Sequence, residues 1–196
     1  MDGWILFEIC VNLFEGALMV YFMRRHVHAC RGNRLTDAAC AAAVGFFLTA
    51  HQYFAFPFTD TVVFLLPMAY AFYLSDDAWY FNVFWALVLA AIFGGVINAV
   101  ILLFTVISKV EFSELIVHSG LRIAYVGTAN ASLALVIFLL SRHPRPNGAL
   151  SWTALGIFVA LNGIYIFVME QLFIIHLIVH LCRSCAEYIP SVLFHS

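Results

Sequence analysis

The sequence from Trp4 to Met23, WILFEICVNLFEGALMVYFM, is twenty residues long and contains only two charged side chains, Glu8 and Glu15. A helix of about 20 predominantly apolar residues crosses the hydrocarbon core of a bilayer. Asp2, not a basic segment, precedes this run, and Arg24-Arg25 follows it where a signal peptide would have small residues. We therefore interpret it as a retained first transmembrane helix.

The rest of the chain has the same apolar character. Of its 196 residues, 64% are hydrophobic and 10% are charged, whereas a soluble domain typically carries about 25% charged residues. The sequence predicts an all-α fold, a polytopic transmembrane helical bundle with the lipid bilayer as its surroundings. The net charge of −2 and the lack of a long run of Lys and Arg argue against nucleic acid as a partner.

Six apolar segments, separated by polar or proline-containing breaks, indicate about six spans in a single transmembrane domain covering residues 1–196. The predicted spans are 4–23, 38–56, 61–74, 79–107, 121–140 and 150–170. Residues 171–183 are expected to lie at the membrane surface or to extend the last helix. Gly94-Gly95, in the fourth segment, predicts close approach of a neighbouring helix.

Lys and Arg are unevenly distributed among the predicted loops. The first, third and fifth loops hold six of them, which are Arg24, Arg25, Arg31, Arg34, Arg142 and Arg145. The opposite segments hold three, which are Lys109, Arg122 and Arg183. Because short cytoplasmic loops are enriched in Lys and Arg, we expect a multi-pass membrane protein with its N-terminus outside.

Three polar residues of the first span, Glu8, Asn12 and Glu15, are spaced so that a helix places them on one face. Ionisable groups inside a membrane usually face the bundle interior or a water-filled cavity. The two carboxylates could bind a cationic ligand, relay protons, or pair with Arg122 of the fifth span. Alternatively, Glu8 lies near the headgroups and Glu15 merely forms a hydrogen bond to a neighbouring helix.

Other polar residues of the spans give less specific signals. One amide in each of the last three spans favours packing between helices, namely Asn98, Asn130 and Asn162. His176 and His180 have a spacing at which two rings can reach one metal, but no third ligand of suitable spacing is evident. Cys182 and Cys185 form a CxxC pair without a second pair. We predict neither a metal site nor a cofactor.

The basic first loop raises the hypothesis of a membrane peptidase. His26, His28 and Cys30 resemble the residue types of membrane-embedded cysteine endopeptidases that process bacterial signalling peptides. In that family the nucleophilic Cys follows the His by about two helical turns, whereas Cys30 follows His28 by only two residues. The spacing is wrong, so the peptidase is a lesser alternative.

The segment Asn12-Leu13-Phe14-Glu15-Gly16, followed by Tyr21-Phe22 and Arg24-Arg25, resembles the opening of a known membrane domain. It is similar to the sensor domain of GHKL-type histidine kinases of Firmicutes, the class that includes peptide-pheromone receptors. That family often has an outward N-terminus and an Asn-x-x-Glu-(Gly/Ala) motif in its first helix. The segment Arg122-Ile123-Ala124-Tyr125, with Asn130 and Arg142 beyond it, is similar to the family's fifth helix.

The resemblance implies a sensor or receptor module of a signal-transduction histidine kinase in a two-component system, located in a bacterial plasma membrane. Its expected partner is an extracellular small molecule or peptide, and a homodimer is an open alternative for its assembly. The candidate ligand-binding residues are Asn12, Glu15, Arg122 and Asn130. The phosphoacceptor region and ATP-binding domain of such kinases are not recognisable in this sequence, so we predict no catalytic residue and no enzymatic activity.

Two further questions stay open at the level of sequence. The chain could be the sensor portion of a longer protein, a truncated product or a stand-alone relative of the family. A small multispan transporter, or a substrate-binding membrane subunit, is the main alternative function. In that case Glu15 would bind the substrate or a proton.

Overall fold

The computed structural model describes residues 2–27, 31–54, 59–108 and 119–142, and the regular secondary structure in these ranges is entirely α-helical. Five helices lie there: α1 (Asp2–His26), α2 (Arg34–Phe54), α3 (Thr59–Leu74), α4 (Trp79–Ser108) and α5 (Gly120–Arg142). All of them belong to one compact unit, Met1–Ala149. The predicted all-α class is confirmed for the described residues.

Three of these helices contain segments that are long and apolar enough to cross a membrane, namely Gly3–His26, Trp79–Ile107 and Gly120–Arg142. The apolar part of α3, Leu65–Leu74, is shorter. These helices indicate a membrane protein. The predicted spans 4–23, 61–74, 79–107 and 121–140 fall on α1, α3, α4 and α5, and span 38–56 falls on α2 as far as residue 54, where the described residues end. The sixth span, 150–170, and the segment 171–183 lie outside the described residues.

The connection between α1 and α2 is shorter than the sequence predicts, because α1 continues to His26 and α2 already begins at Arg34. Asn33 caps α2 through a reciprocal pair of hydrogen bonds. Its Oδ1 accepts from the backbone N–H of Thr36, and its own N–H donates to Thr36 Oγ1, both at 2.9 Å.

Gly32, in the turn before this cap, has a φ of 94°, a left-handed conformation that favours glycine. This turn lets the loop pack against the end of α3, where the backbone carbonyl of Leu74 accepts a 3.0 Å bond from the N–H of Arg31.

Side-chain contacts establish the directions of the first three helices. Arg24, near the end of α1, forms an ion pair with Asp37 near the start of α2, while Asn12 of α1 bonds to Thr49 near the end of α2. These two helices are therefore antiparallel. Tyr70, near the end of α3, donates a hydrogen bond to the same Asp37 carboxylate, so α3 is antiparallel to α2 and parallel to α1.

Ring contacts place the other two helices. Phe22, near the end of α1, meets Trp85 near the start of α4 with ring centroids 5.9 Å apart, so α4 runs antiparallel to α1. Phe104, near the end of α4, meets Tyr125 near the start of α5, also at 5.9 Å. Each helix therefore reverses the direction of the one before it, and α1, α3 and α5 point the same way.

The centre of the bundle is apolar and combines side chains from all five helices. Its buried residues include Met19, Phe22, Met23, Val44, Ala71, Leu74, Leu89, Phe93, Leu133 and Ile137. The outer surface is also apolar. In α4, for example, Leu102, Val106 and Ile107 are 65%, 67% and 71% exposed. Such exposure is unfavourable in water but suits contact with lipid chains.

The closest helix approach is at two glycines of α1 and α2. A Cβ atom built on Gly16 would clash with the backbone carbonyl oxygen of Ala41, and one on Gly45 would lie 3.0 Å from Leu13 Cα. At Gly95, for which the sequence predicts close approach together with Gly94, no atom of the described residues lies within 4 Å of such a Cβ. Glycine permits a close contact, but only the orientation of the helix decides whether a neighbour is there.

Candidate functional site

The polar face predicted for α1 points into the bundle and contacts two other helices. Glu8, Asn12 and Glu15 meet partners on α2 and α5. We call this set of six residues the polar seam, and its members are Glu8, Asn12, Glu15, Thr49, Arg122 and Asn130. Polar groups inside an apolar bundle are tolerated where they satisfy one another, and the seam meets that condition in three contacts.

The first contact is an ion pair between Glu8 of α1 and Arg122 of α5. Only 4% of the Glu8 side chain and 15% of the Arg122 side chain are exposed. Transferring either charge alone from water into this environment would cost several kcal/mol, and the attraction between the two charges offsets this cost. Of the three roles considered for the first-span carboxylates, pairing with Arg122 is the one found for Glu8. Glu8 is thus enclosed by the bundle, whatever its depth relative to the headgroups.

The second contact joins α1 to α2. Asn12 Nδ2 donates a 2.9 Å hydrogen bond to Thr49 Oγ1, and the Thr49 hydroxyl donates a 2.8 Å bond to the carbonyl of Gly45. The Asn12 carbonyl oxygen lies 3.1 Å from the position of a Cβ on Gly45. That oxygen belongs to the backbone, so the residue Asn12 lies at the crossing of the two helices, where it is 3% exposed.

The third contact joins α1 to α5 again, about two turns further along both helices. Asn130 Nδ2 donates to Glu15 Oε1 at 3.2 Å and to the backbone carbonyl of Val126 at 3.1 Å. The buried Oδ1 of Asn130 accepts no hydrogen bond from the described residues. In the same part of the chain Glu15 has no salt bridge, in contrast to Glu8. The Glu15 carboxylate and the Asn130 amide oxygen therefore belong to neighbouring side chains, and no salt bridge of the described residues involves Glu15.

Of the four residues proposed from sequence as ligand-binding, Glu15 and Asn130 bond to each other, whereas Asn12 and Arg122 bond to other partners in the seam. The structure adds Glu8 as the partner of Arg122 and Thr49 as the partner of Asn12. Glu8 carried a sequence signal, since it shares the face of Glu15. Thr49 carried none, because a hydroxyl within an apolar helix commonly bonds to its own backbone.

A second polar cluster lies at the opposite end of the bundle, where α1 ends and α2 begins. Arg24, Arg25, Arg31 and Arg34 are located there, and we call this region the basic end. The Asp37 carboxylate accepts from both Arg24 and Tyr70, which ties the ends of α1 and α3 to the start of α2. Arg31 pairs with Asp76 at 2.9 Å on the surface.

The residues behind the peptidase hypothesis are only partly within the described ranges. His26 is buried, its ring stacks on Phe22 with centroids 4.1 Å apart, and it lies 4.3 Å from the ring of Trp85. Its Nδ1 is 2.9 Å from the Phe22 carbonyl oxygen. His28 and Cys30 lie outside the described residues. The enclosed ring of His26 suits helix packing better than access to a substrate.

Several other sequence-based expectations also concern residues outside the described ranges, namely those for Asn162, His176, His180, Cys182 and Cys185. Within the described ranges, no group of three or more His, Cys, Asp or Glu side chains could hold a metal ion. The prediction of helix bridging is confirmed for Asn130. The Asn98 amide donates 2.8 Å to the carbonyl of Gly94 in its own helix.

Comparison with protein-family models, curated proteins and solved structures gives no match for this chain. The resemblance to sensor domains of GHKL-type kinases therefore rests on its two sequence segments. The polar seam contains residues of both segments, since Asn12 and Glu15 belong to the first and Arg122 and Asn130 to the second.

Proposed function

We propose that this chain is a multi-pass sensor module of a bacterial plasma membrane, in which an extracellular ligand such as a small peptide acts on the polar seam. The observation that carries the proposal is the position of Glu15 and Asn130. A carboxylate and an amide oxygen, both hydrogen-bond acceptors, lie together inside an apolar bundle. Such groups in a membrane are functional candidates by default. The module would have no catalytic activity of its own.

The orientation that we propose follows from helix direction and charge. Because α1 and α5 are parallel, Arg142 at the end of α5 points toward the basic end, together with Arg24, Arg25, Arg31 and Arg34. The sixth basic residue of the described ranges, Arg122, is neutralised by Glu8 nearer the opposite end. The rule that positive loops stay inside then puts the basic end in the cytoplasm and the N-terminus outside. With six spans the chain would complete three passes in each direction.

The ligand class follows from the chemistry at Glu15. A carboxylate oxygen and an amide oxygen side by side accept hydrogen bonds, so they favour a donor group with positive charge. The amino terminus or a basic side chain of a short peptide has this character. Such a donor would compete with the Asn130 Nδ2 for Glu15 Oε1, and thereby weaken one of the two contacts of the seam between α1 and α5.

Signalling would arise from a shift between two arrangements of α1 and α5. A ligand shifts such an equilibrium only by its difference in affinity for the two arrangements. Among the described residues, the Glu8–Arg122 ion pair and the Asn130–Glu15 hydrogen bond join α1 to α5 in the seam. A ligand that replaces the second of these contacts would change the balance between the two arrangements, and the end of α5 would transmit the change toward the cytoplasm.

The Glu15→Gln variant tests this proposal. We expect pools of a synthetic peptide library to raise the melting temperature of the detergent-purified wild-type chain, because a ligand that binds only the folded state stabilises it. In Glu15→Gln the same pools should lose most of that shift. Asp76→Asn is the matched control, since it removes an exposed carboxylate outside the seam. No stabilising pool, or equal loss in both variants, would contradict the sensor proposal.

A transporter is the second candidate, and one specific observation favours it. Glu15 has no salt bridge within the described part of the chain, so its carboxylate could take up a proton or a cationic substrate. Proteoliposomes with a pH gradient distinguish the two functions. A transporter accumulates the stabilising peptide inside the vesicles and loses accumulation in Glu15→Gln, whereas a sensor binds the peptide without accumulating it.

A further inference from the structure

A groove of about 550 Å³ runs between α1 and α2 on the surface of the bundle, away from the polar seam. Four small or apolar residues line one part of it, Ala17, Val20, Ala38 and Ala41. The other part is lined by charged and aromatic side chains at the basic end, among them Arg24 and Arg25. The groove therefore changes along its length from apolar to basic.

The change from apolar to basic lining residues matches the depth in the membrane that we expect for each part of the groove. Ala17 and Ala41 lie beside the close contact at Gly16, well inside the span, whereas Arg24 and Arg25 lie in the last turn of α1. Tyr21 lies between these levels, where aromatic rings typically mark the membrane interface. The apolar part thus lies at the depth of acyl chains and the basic part at the depth of headgroups.

The two arginines are held at the mouth of the groove by neighbouring groups. Arg24 pairs with Asp37 and keeps 37% of its side chain exposed. The Arg25 guanidinium lies 5.5 Å from the centre of the Tyr21 ring and is exposed. Two guanidinium groups therefore line this part of the groove beside one carboxylate, and guanidinium groups are suited to binding phosphate.

We propose that this groove binds one anionic phospholipid, with its phosphate at Arg24 and Arg25 and an acyl chain along Ala17 and Ala41. Basic pockets between helices on the cytoplasmic side of a membrane are suited to anionic headgroups. The small side chains leave room for a chain of methylene groups, and the charge favours phosphatidylglycerol over a zwitterionic lipid. The inference rests on membrane location and on the proposed orientation, and it is independent of the proposed peptide ligand.

The experiment uses the full chain in a mild detergent with dansyl-labelled phosphatidylglycerol as the probe. Unlabelled phosphatidylglycerol should displace the probe at lower concentration than phosphatidylcholine. Since one basic residue near an anionic membrane surface changes affinity about fivefold, Arg25→Gln should weaken phosphatidylglycerol binding about fivefold and phosphatidylcholine binding hardly at all. Arg25→Lys, which keeps the charge, should retain most of the affinity.

Two further variants separate a specific site from general attraction. Arg142→Gln is the matched control. Like Arg25, Arg142 lies over an aromatic ring four residues earlier in its helix, 4.4 Å from the centre of the Phe138 ring. Unlike Arg25, it does not line the groove. This variant should leave binding unchanged. Ala17→Phe keeps all charges and fills the apolar part, and it should weaken the binding of both lipids. Melting temperatures confirm that each variant is folded.

Three results would overturn the lipid site. The first is equal displacement by the two lipids in the wild-type chain, and the second is equal loss of affinity in Arg25→Gln and Arg142→Gln. The third is displacement of the probe by inorganic phosphate at the concentrations at which phosphatidylglycerol displaces it, since that would indicate a site for free anions. None of these results depends on whether peptide pools stabilise the protein.

Discussion

Replacement of Arg122 with alanine should destabilise the bundle by about 3 kcal/mol or more. The variant leaves the Glu8 carboxylate, of which only 4% is exposed, without its partner in an apolar interior. Removing one member of a buried ion pair typically costs about 3–5 kcal/mol, because the other charge stays desolvated. The measurement is the unfolding midpoint of the detergent-purified chain in a titration with a denaturing detergent, followed by circular dichroism.

Two controls show whether the loss comes from the unpaired charge. The double variant Glu8→Gln/Arg122→Gln removes both charges and should recover at least half of the stability lost in Arg122→Ala. Arg142→Ala removes an exposed guanidinium at the other end of α5 and should cost less than about 1 kcal/mol. If Arg122→Ala and Arg142→Ala had the same small effect, the ion pair would not stabilise the contact between α1 and α5.

Gly16→Ala should be the second most disruptive substitution, with a loss of about 1–3 kcal/mol in unfolding free energy. The added methyl group would clash with the backbone carbonyl of Ala41, and its next neighbours, the Ala41 carbonyl carbon and the Gly45 nitrogen, lie at 3.2 Å and 3.3 Å. All three atoms belong to the backbone of α2. No side chain can turn aside, so the two helices must separate.

Gly127→Ala is the matched control for this substitution. Gly127 also lies inside a helix, and within the described ranges nothing lies within 4 Å of a Cβ placed on it. Alanine has a higher helix propensity than glycine by about 1 kcal/mol, so this variant should be as stable as the wild type or more stable. Equal destabilisation by Gly16→Ala and Gly127→Ala would mean that the close crossing of α1 and α2 is not needed for the fold.

The helices could be predicted from sequence because their signals are local. Runs of apolar residues, polar breaks and the spacing of Glu8, Asn12 and Glu15 depend only on neighbours along the chain. The helix ends were less accurate. Charged side chains such as Arg24, Arg34 and Asp37 look like loop residues, yet Arg24 and Asp37 extend their helices because they pair across the turn.

Contacts between helices were predictable only in part. The pairing of a first-helix carboxylate with Arg122 was one of three alternatives, because opposite charges in an apolar bundle are expected to meet. The choice between Gly16 and Gly95 as a packing position was not predictable, since it depends on how each helix is rotated toward its neighbour. The same applies to the groove beside Arg25, which requires two helices to be placed together.

The seam also gives a physical meaning to the segment Asn12-Leu13-Phe14-Glu15-Gly16. Four of its residues meet other helices, since Asn12 bonds to Thr49, Glu15 bonds to Asn130, Gly16 packs on Ala41 and Leu13 packs beside Gly45. Leu13 and Phe14 are 41% and 45% exposed and suit contact with lipid. The pattern is therefore that of a helix with one polar, closely packed face, whatever ligand the bundle binds.

The central claim is that α1 and α5 lie side by side and parallel inside a membrane-embedded bundle. Oxidative cross-linking of paired cysteines, in a background without the five native cysteines and in membranes washed with alkaline carbonate, tests it most directly. We predict that Glu8→Cys/Arg122→Cys and Glu15→Cys/Asn130→Cys cross-link, whereas the crossed pairs Glu8→Cys/Asn130→Cys and Glu15→Cys/Arg122→Cys do not. Cross-linking of the crossed pairs, or release of the chain by the carbonate wash, would contradict the account.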